Sequence, residues 1–311
     1  MNFKLGQLQF TERFIQGPLA GYSHAAFRQL LWPADYLAYA CTEMLPASCV
    51  INELHDKNNR YTWRHPNEKV LCYQLSGCIP NELALAAKIV SDLGADIIDL
   101  NAGCPKKKIR KKGCGSAMLA DINNLQACLF AIKAAVSCPV TVKIRIPNPK
   151  STLATSVLIQ QLADTGVDAI IVHARDWQGD QQPILTEHFQ AAVTASICPI
   201  IINGDIKTIT EGEQMLAATK ASACMIARAG FSKPWLYKQE HSPLITNYII
   251  SHLENMQLYL PENIICLQAR SILYYYGKSL EQQLANELVG LAYSHDKLPE
   301  LIKAVQKLNL C

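Results

Sequence analysis

A chain of 311 residues, half of them hydrophobic and 18% charged, has ample apolar surface for one large domain or two. That balance excludes disordered, collagen-like and coiled-coil chains, and no apolar run reaches the ~18–20 residues that span a bilayer. A formal net charge of +3 is too small to argue for a nucleic-acid partner by itself.

Short β-rich apolar runs alternate with amphipathic stretches. The predicted strands are Phe14 to Pro18, Tyr36 to Thr42, Val70 to Leu75, Asp96 to Leu100, Val140 to Ile144, Ala169 to His173, Ile200 to Asn203 and Ala223 to Ala227. Helices are predicted between them over Ala25 to Leu31, Asn81 to Leu93, Asn124 to Val136, Leu153 to Thr165, Glu187 to Ser196 and Thr210 to Ala218. Helix, tight turn and fully apolar strand recur at SDLGADIIDL, ADTGVDAIIVHA and AATKASACMIA, the mark of parallel strands buried on both faces. Eight such strands suit a (β/α)8 TIM barrel, an α/β fold. A doubly wound sheet would want a GxGxxG turn after its first strand, and none is present. From residue 243 the pattern turns helical: Ile245 to Leu260, Pro261 to Tyr276, Ser279 to Tyr293 and Leu298 to Leu308 predict a small bundle. The expected domains are therefore 1–242 and 243–311.

Twelve cysteines include no CxxC pair, so neither a zinc ribbon nor a thioredoxin-like pair is supported, and no metal is expected. Cys72, Cys138, Cys198 and Cys224 lie in apolar runs, where a thiol serves as a small buried hydrophobe. The opening MNFKLGQLQFTERF mixes charge and apolarity too early for a signal peptide, which predicts a cytoplasmic protein with no membrane partner.

Barrel chemistry is done at the C-terminal strand ends. The polar residues predicted there are Thr42, Glu43, Gln74, Asn101, Cys104, Lys143, Arg145, His173, Arg175, Asn203, Asp205 and Arg228. Lys143, inside the apolar run CPVTVKIRI, is expected to be the only cation within the strand array and to need a polar or anionic partner. The NGDI and ARAGFSKPW segments that end the last two strands suit a phosphate, with Gly204 allowing close backbone approach and Arg228 adding charge. After Cys104, six positive charges fall within the seven residues 106–112, including Lys107, Lys108 and Lys111.

These segments resemble the tRNA-dihydrouridine synthases. The likeness is carried by GPLAGYSHAAFR, CTEM, QLSG, IDLNAGCPKKKIRKKGCGSAML, VTVKIR, NGDI and MIARAGFSKPW, in order over residues 13–240. The resemblance implies a flavoenzyme that reduces the C5=C6 bond of a D-loop uridine in tRNA, with FMN as cofactor and NADPH as electron donor. Carried across residue by residue, it places Pro18, Leu19 and Ala20 beside the flavin, and Gln74 and Lys143 on its ring. Asn203, Gly204 and Asp205 match the seventh-strand loop, Ala227 and Arg228 the phosphate end, and His173 the sixth-strand motif. Asn101 matches the uracil-binding asparagine and Cys104 the proton donor to C5. An ordinary thiol, with a pKa of about 8.5, is protonated at neutral pH and suits that task. Arg175, Lys107, Lys108 and Lys111 are expected on the tRNA side, and the helical unit is expected to recognise tRNA.

The chain departs from the family pattern at Ala174 and Asp176 in HARD, at Ala227, at His24, Ala25 and Ala26, and at Ser271. Length and helical tail lean toward the shorter synthases that act at position 16 of tRNA, and a monomer is expected. A free-pyrimidine flavoenzyme of the dihydroorotate dehydrogenase type is the alternative, and a non-enzymatic RNA-binding barrel is a third reading. The basic run and the helical tail argue against the alternative, and the lysine-bearing mouth against the third.

Overall fold

The computed structural model describes residues 2–53, 59–178, 182–239, 244–308 and 310. Eight parallel strands close into a barrel: β1 (Phe14–Gln16), β2 (Leu37–Pro46), β3 (Leu71–Ser76), β4 (Ile97–Ala102), β5 (Val140–Ile146), β6 (Ala169–Asp176), β7 (Ile200–Asn203) and β8 (Ala223–Ile226). β8 pairs with β1 and closes the ring, with Met225 opposite Ile15. The strands are largely apolar and buried on both faces, as helix-covered parallel strands must be.

Around them run α1 (Pro80–Asp92), α2 (Ile122–Ala135), α3 (Thr152–Ala163), α4 (Glu187–Ala195) and α5 (Ile209–Thr219). Three starts are fixed by side-chain caps: Asp121, Ser151 and Thr208 accept from the backbone N–H of Asn124, Ala154 and Glu211. Ala25–Arg28 forms one short α-turn that tightens to a 3-10 turn over Gln29–Leu31, so the first predicted helix keeps its expected span with a 3-10 second half. A hairpin missing from the sequence reading, Phe3–Leu5 with Leu8–Phe10, plugs the N-terminal end of the barrel. Its Phe3 and Phe10 stack at 4.8 Å and join a cluster with Tyr39, Ile171, Ile201 and Met225.

Five strands outrun their predicted ends, β3 by Ser76 alone. Glu43, Asn101, Arg145 and Arg175 lie within β2, β4, β5 and β6 rather than after them. The apolar signal stops where side chains reach the mouth, but backbone pairing continues, as between Asn101 and Lys143 or Arg145 and His173. Of the cysteines read as buried, Cys72 and Cys224 are, whereas Cys138 and Cys198 are half-buried at turns before β5 and β7.

The helical unit comprises α6 (Ile245–Met256), α7 (Glu262–Gly277), α8 (Gln282–Ser294) and α9 (Leu298–Leu308). α7 packs on α8 and α6 on α9. The expected boundary at 242/243 lies outside the described residues. The apolar core of these helices is continuous with the outer layer of the barrel. Among the described residues no helix is long and apolar enough to cross a membrane.

Two buried histidines sit at the joint. His24 Nδ1 and Tyr259 Oη are 2.9 Å apart, and His24 and His252 face each other with ring centroids 5.4 Å apart among Phe27, Phe231 and Tyr276. Burial drives both pKa values down, to about 3 for His252, so both stay neutral in the fold. The unfolded chain therefore binds protons that the folded chain refuses once pH drops below about 6.5. Stability present above that pH is lost as pH falls toward 3, by up to about 1.4 kcal/mol per pH unit for each such histidine. Urea unfolding at pH 6.5 and 5 measures this, and His252→Phe is expected to flatten the dependence; an equal slope in the variant would rule His252 out.

Candidate active site

The mouth is organised by a hydrogen-bond network across β3, β4 and β5. Buried Asp99 accepts from Gln74 Nε2 and from Thr141 Oγ1, each at 2.7 Å. Gln74 Oε1 accepts from Asn101 Nδ2 at 2.8 Å. Asn101 Oδ1 then accepts from the backbone N–H of Gly103 at 3.2 Å and of Cys104 at 3.0 Å. A carboxylate in the barrel thus fixes, through two amides, the start of the loop that bears Cys104.

Burial pushes the Asp99 carboxyl up to about 6, against its two donors and Lys143, and leaves it mainly ionised at neutral pH. Burial also brings Lys143 down to about 8, opposed by the Asp99 charge, so the lysine remains mainly cationic. Lys143 is half-buried and has no hydrogen-bond partner among the described residues. Arg145 and Arg175 are also buried cations of the strand array, which corrects the expectation that Lys143 stands alone. Arg145 is a strap: Nε donates to Gly103 O at 3.0 Å and Nη1 to Asp176 O at 3.1 Å.

The loop after Cys104 is held firmly. Ser116 N donates to Cys104 O at 3.0 Å, and Ser116 Oγ donates to Trp177 O at 2.8 Å. Gly115 sits at φ +62°, where a Cβ would lie 2.6 Å from Cys104 O, so only glycine keeps this approach. Cys114 lies beside Cys78, and its Sγ donates to Lys112 O at 3.5 Å. Burial and the Cys78 thiol push Cys114 up to about 12. Lys107–Arg110 forms a short helix, with Lys106, Lys107, Lys108, Lys111 and Lys112 exposed. Arg110 instead lies over Trp177, 5.1 Å from its ring centroid, and anchors the run.

Across the mouth, the ends of β7 and β8 line a cavity of about 560 Å³ with His173, Asn203, Gly204, Asp205, Ala227 and Arg228. Asn203 Nδ2 donates to Met225 O at 2.8 Å and ties the two strands together. Gly204 has φ +142°, and a Cβ there would come within 2.3 Å of Ile184 Cδ1. Asp205 is gripped by Arg175 and by Arg228, the latter at 2.6 Å. Arg175 thus bonds Asp205 in the β7–β8 region, with its buried Nε unpartnered. Burial, with Lys143, Arg145, Arg175 and Arg228 nearby, holds His173 far below its ordinary value and neutral. After β1, Pro18 and Leu19 are half-buried and Ala20 exposed, and the Gly21 N–H donates to the Glu43 carboxylate.

The predicted residues thus form two groups. Gln74, Asn101, Cys104 and Lys143 cluster at β3–β5, while His173, Arg175, Asn203, Gly204, Asp205, Ala227 and Arg228 gather at β6–β8. In the strand order β4 stands opposite β8, so the barrel mouth separates the thiol from the cavity. The sequence reading missed Asp99 and Thr141, although a carboxylate in the apolar run IIDL is the same kind of signal that singled out Lys143.

The family model described as "Dihydrouridine synthase (Dus)" matches residues 15–301. The chain belongs to the dihydrouridine synthase family. It is 30% identical over 296 residues to tRNA-dihydrouridine synthase B of Klebsiella pneumoniae, covering 92% of this chain and 88% of the relative. It is 31% identical over 291 residues to a probable tRNA-dihydrouridine synthase of Rickettsia conorii, covering 92% and 86%. A solved structure of a morphinone reductase variant in complex with tetrahydroNAD shares the fold, with a TM-score of 0.54 at 11% identity over 76% of this chain and 88% of that one. Membership of the dihydrouridine synthases makes the chain an oxidoreductase. Its departure at His24 builds the contact with Tyr259 of α6's trailing turn, and its Asp176 accepts from Gln178 N at 3.0 Å.

Proposed function

We propose that this dihydrouridine synthase uses FMN and NADPH to reduce the C5=C6 bond of a D-loop uridine in tRNA. The observation that carries the reading is a Cys104 thiol positioned by Asn101 across the mouth from a cation-lined cavity, with Lys143 opposite Asn101 on the neighbouring strand. The residues fit a flavin phosphate: Arg228, the buried orphan Nε of Arg175 and the Gly204 turn all meet at the β7–β8 end. Gln74 and Lys143 would hold the ring, and Pro18, Leu19 and Ala20 would border it.

When bound and reduced, a flavin would supply the hydride for C6 of the uracil. Cys104 gives its proton to C5 from the opposite face, and a flipped-out base reaches it without the duplex stack in the way. Lys143 would hold the flavin ring and, as a cation, favour negative charge developing on it. Asn101 spends its Oδ1 on the Cys104 loop and offers uracil only its remaining Nδ2 proton. His173, kept neutral, adds a polar wall without a further cation beside the phosphate end.

The exposed lysines after Cys104 supply phosphate contacts. Neutralising Lys107, Lys108 and Lys111 is expected to weaken tRNA binding and flatten its salt dependence by roughly 0.7–0.9 log units per lost contact. NADPH oxidation with oxygen should be unchanged. tRNA affinities equal to wild type at two salt concentrations would reduce the run to a solvated face.

Purified protein tests the whole reading. It should be yellow, release FMN rather than FAD on denaturation, and form dihydrouridine in tRNA with NADPH. Reduction of free uracil or orotate in preference to tRNA would favour the free-pyrimidine reading instead. The expectation of position 16 rests on length and the helical tail alone, and mapping the product reads it directly.

A further inference from the structure

The cavity at β7–β8 is not built by the barrel alone. Tyr275 of α7 and Lys278, the residue after it, line it together with Lys207, Arg228 and Lys233. Four cations therefore face one carboxylate, Asp205, which Arg175 and Arg228 already hold. Lys207, Lys233 and Lys278 have no carboxylate partner among the described residues. An assembly of this kind asks for an anion of more than one charge.

Lys278 is also aimed. Its Nζ lies 4.5 Å from the ring centroid of Tyr275 and 4.7 Å from that of Tyr274. Tyr275 is braced edge-on against two barrel residues, Tyr22 at 4.8 Å and Phe231 at 5.3 Å. The lysine is thus carried by the helical unit but positioned from the barrel. Its ammonium rests on aromatic faces, which leaves its N–H donors free for a ligand.

We propose that Lys278, seated on Tyr275, is a phosphate-recognising residue of the flavin site, so that the helical unit completes the cofactor cavity. This rests on the flavin reading above. The terminal phosphate of FMN is a dianion at neutral pH and supplies the charge that Lys207, Lys233 and Lys278 lack, whereas riboflavin, the same ring without phosphate, does not. The helical unit then serves cofactor retention as well as RNA.

The test compares FMN and riboflavin on full-length protein stripped of flavin, read by quenching of flavin fluorescence. Lys278→Gln is expected to weaken FMN roughly tenfold, the scale of one charge-assisted bond, and to leave riboflavin unchanged. Lys278→Arg should restore most of the difference, and Tyr275→Leu should lower FMN affinity in the same direction. An unchanged ratio of FMN to riboflavin affinity in Lys278→Gln would overturn the assignment. So would an unchanged FMN affinity with a loss of tRNA affinity, which would give the lysine to RNA. Wild-type protein that takes up neither flavin would overturn this proposal and the flavin reading together, and that result is distinct from the other two.

Discussion

Cys104→Ala should bind flavin and tRNA, accept electrons from NADPH, and yet form dihydrouridine ~10²–10⁴-fold more slowly, the scale of a lost general acid. The geometry gives the reason. Asn101 Oδ1 holds the Cys104 N–H, Ser116 holds its carbonyl, and Gly115 leaves room for that carbonyl, so the thiol's position is fixed by its surroundings rather than by its own contacts. Removing the sulfur therefore takes away the proton without moving the loop. Cys114→Ala supplies the contrast. Its thiol is tied to the Lys112 carbonyl, and burial and Cys78 push it up to about 12, which makes it a poor acid. That variant should stay within a few-fold of wild type. Near-normal product in Cys104→Ala, or collapse only in Cys114→Ala, would transfer the role.

Lys143→Ala is expected to lose flavin or to slow its reduction by NADPH severely. The lysine is a half-buried cation with no hydrogen-bond partner among the described residues, and Asp99 is the carboxylate that offsets its burial. Its removal should also leave Asp99 without a nearby cation, and raise that carboxyl above its present value of about 6. The sign of the pH effect follows from the lowered lysine. Its charge is present below about pH 8 and lost above it, so wild-type flavin affinity should fall as pH rises past 8. In Lys143→Ala that fall should vanish. Flavin titrations at pH 7 and 9 measure it, and equal affinities in the wild type at both values would remove the charge from the account.

How far the sequence carries depends on the kind of signal. Periodicity located all eight barrel strands and the four C-terminal helices, because burial on both faces leaves continuous apolar runs such as AIIV in β6. The same signal ended β4 before Asn101 and β6 before Arg175, because polar side chains at the mouth hide backbone pairing that continues. The N-terminal hairpin was missed because its strands, FKL and LQF, each carry a polar centre and offer no continuous apolar run. Site residues were legible where a polar side chain interrupts apolar sequence, as Lys143 does. Pairings between distant segments were not. The grip of Arg175 on Asp205 and the buried Arg28–Glu68 pair at 2.7 Å are products of closure, which no local pattern reports. The placing of Tyr275 and Lys278 at the β7–β8 cavity belongs to the same class, since it depends on how the helical unit docks.

In the proposed reaction Cys104 and the β7–β8 cavity act together on a uridine of tRNA. Mapping dihydrouridine in tRNA from a strain lacking this gene tests it most directly, with wild-type and Cys104→Ala copies returned in parallel. At least one D-loop position should revert to uridine in the deletion strain, be restored by the wild-type copy, and stay uridine with Cys104→Ala. A full complement of dihydrouridine in the deletion strain, or full restoration by Cys104→Ala, would contradict it.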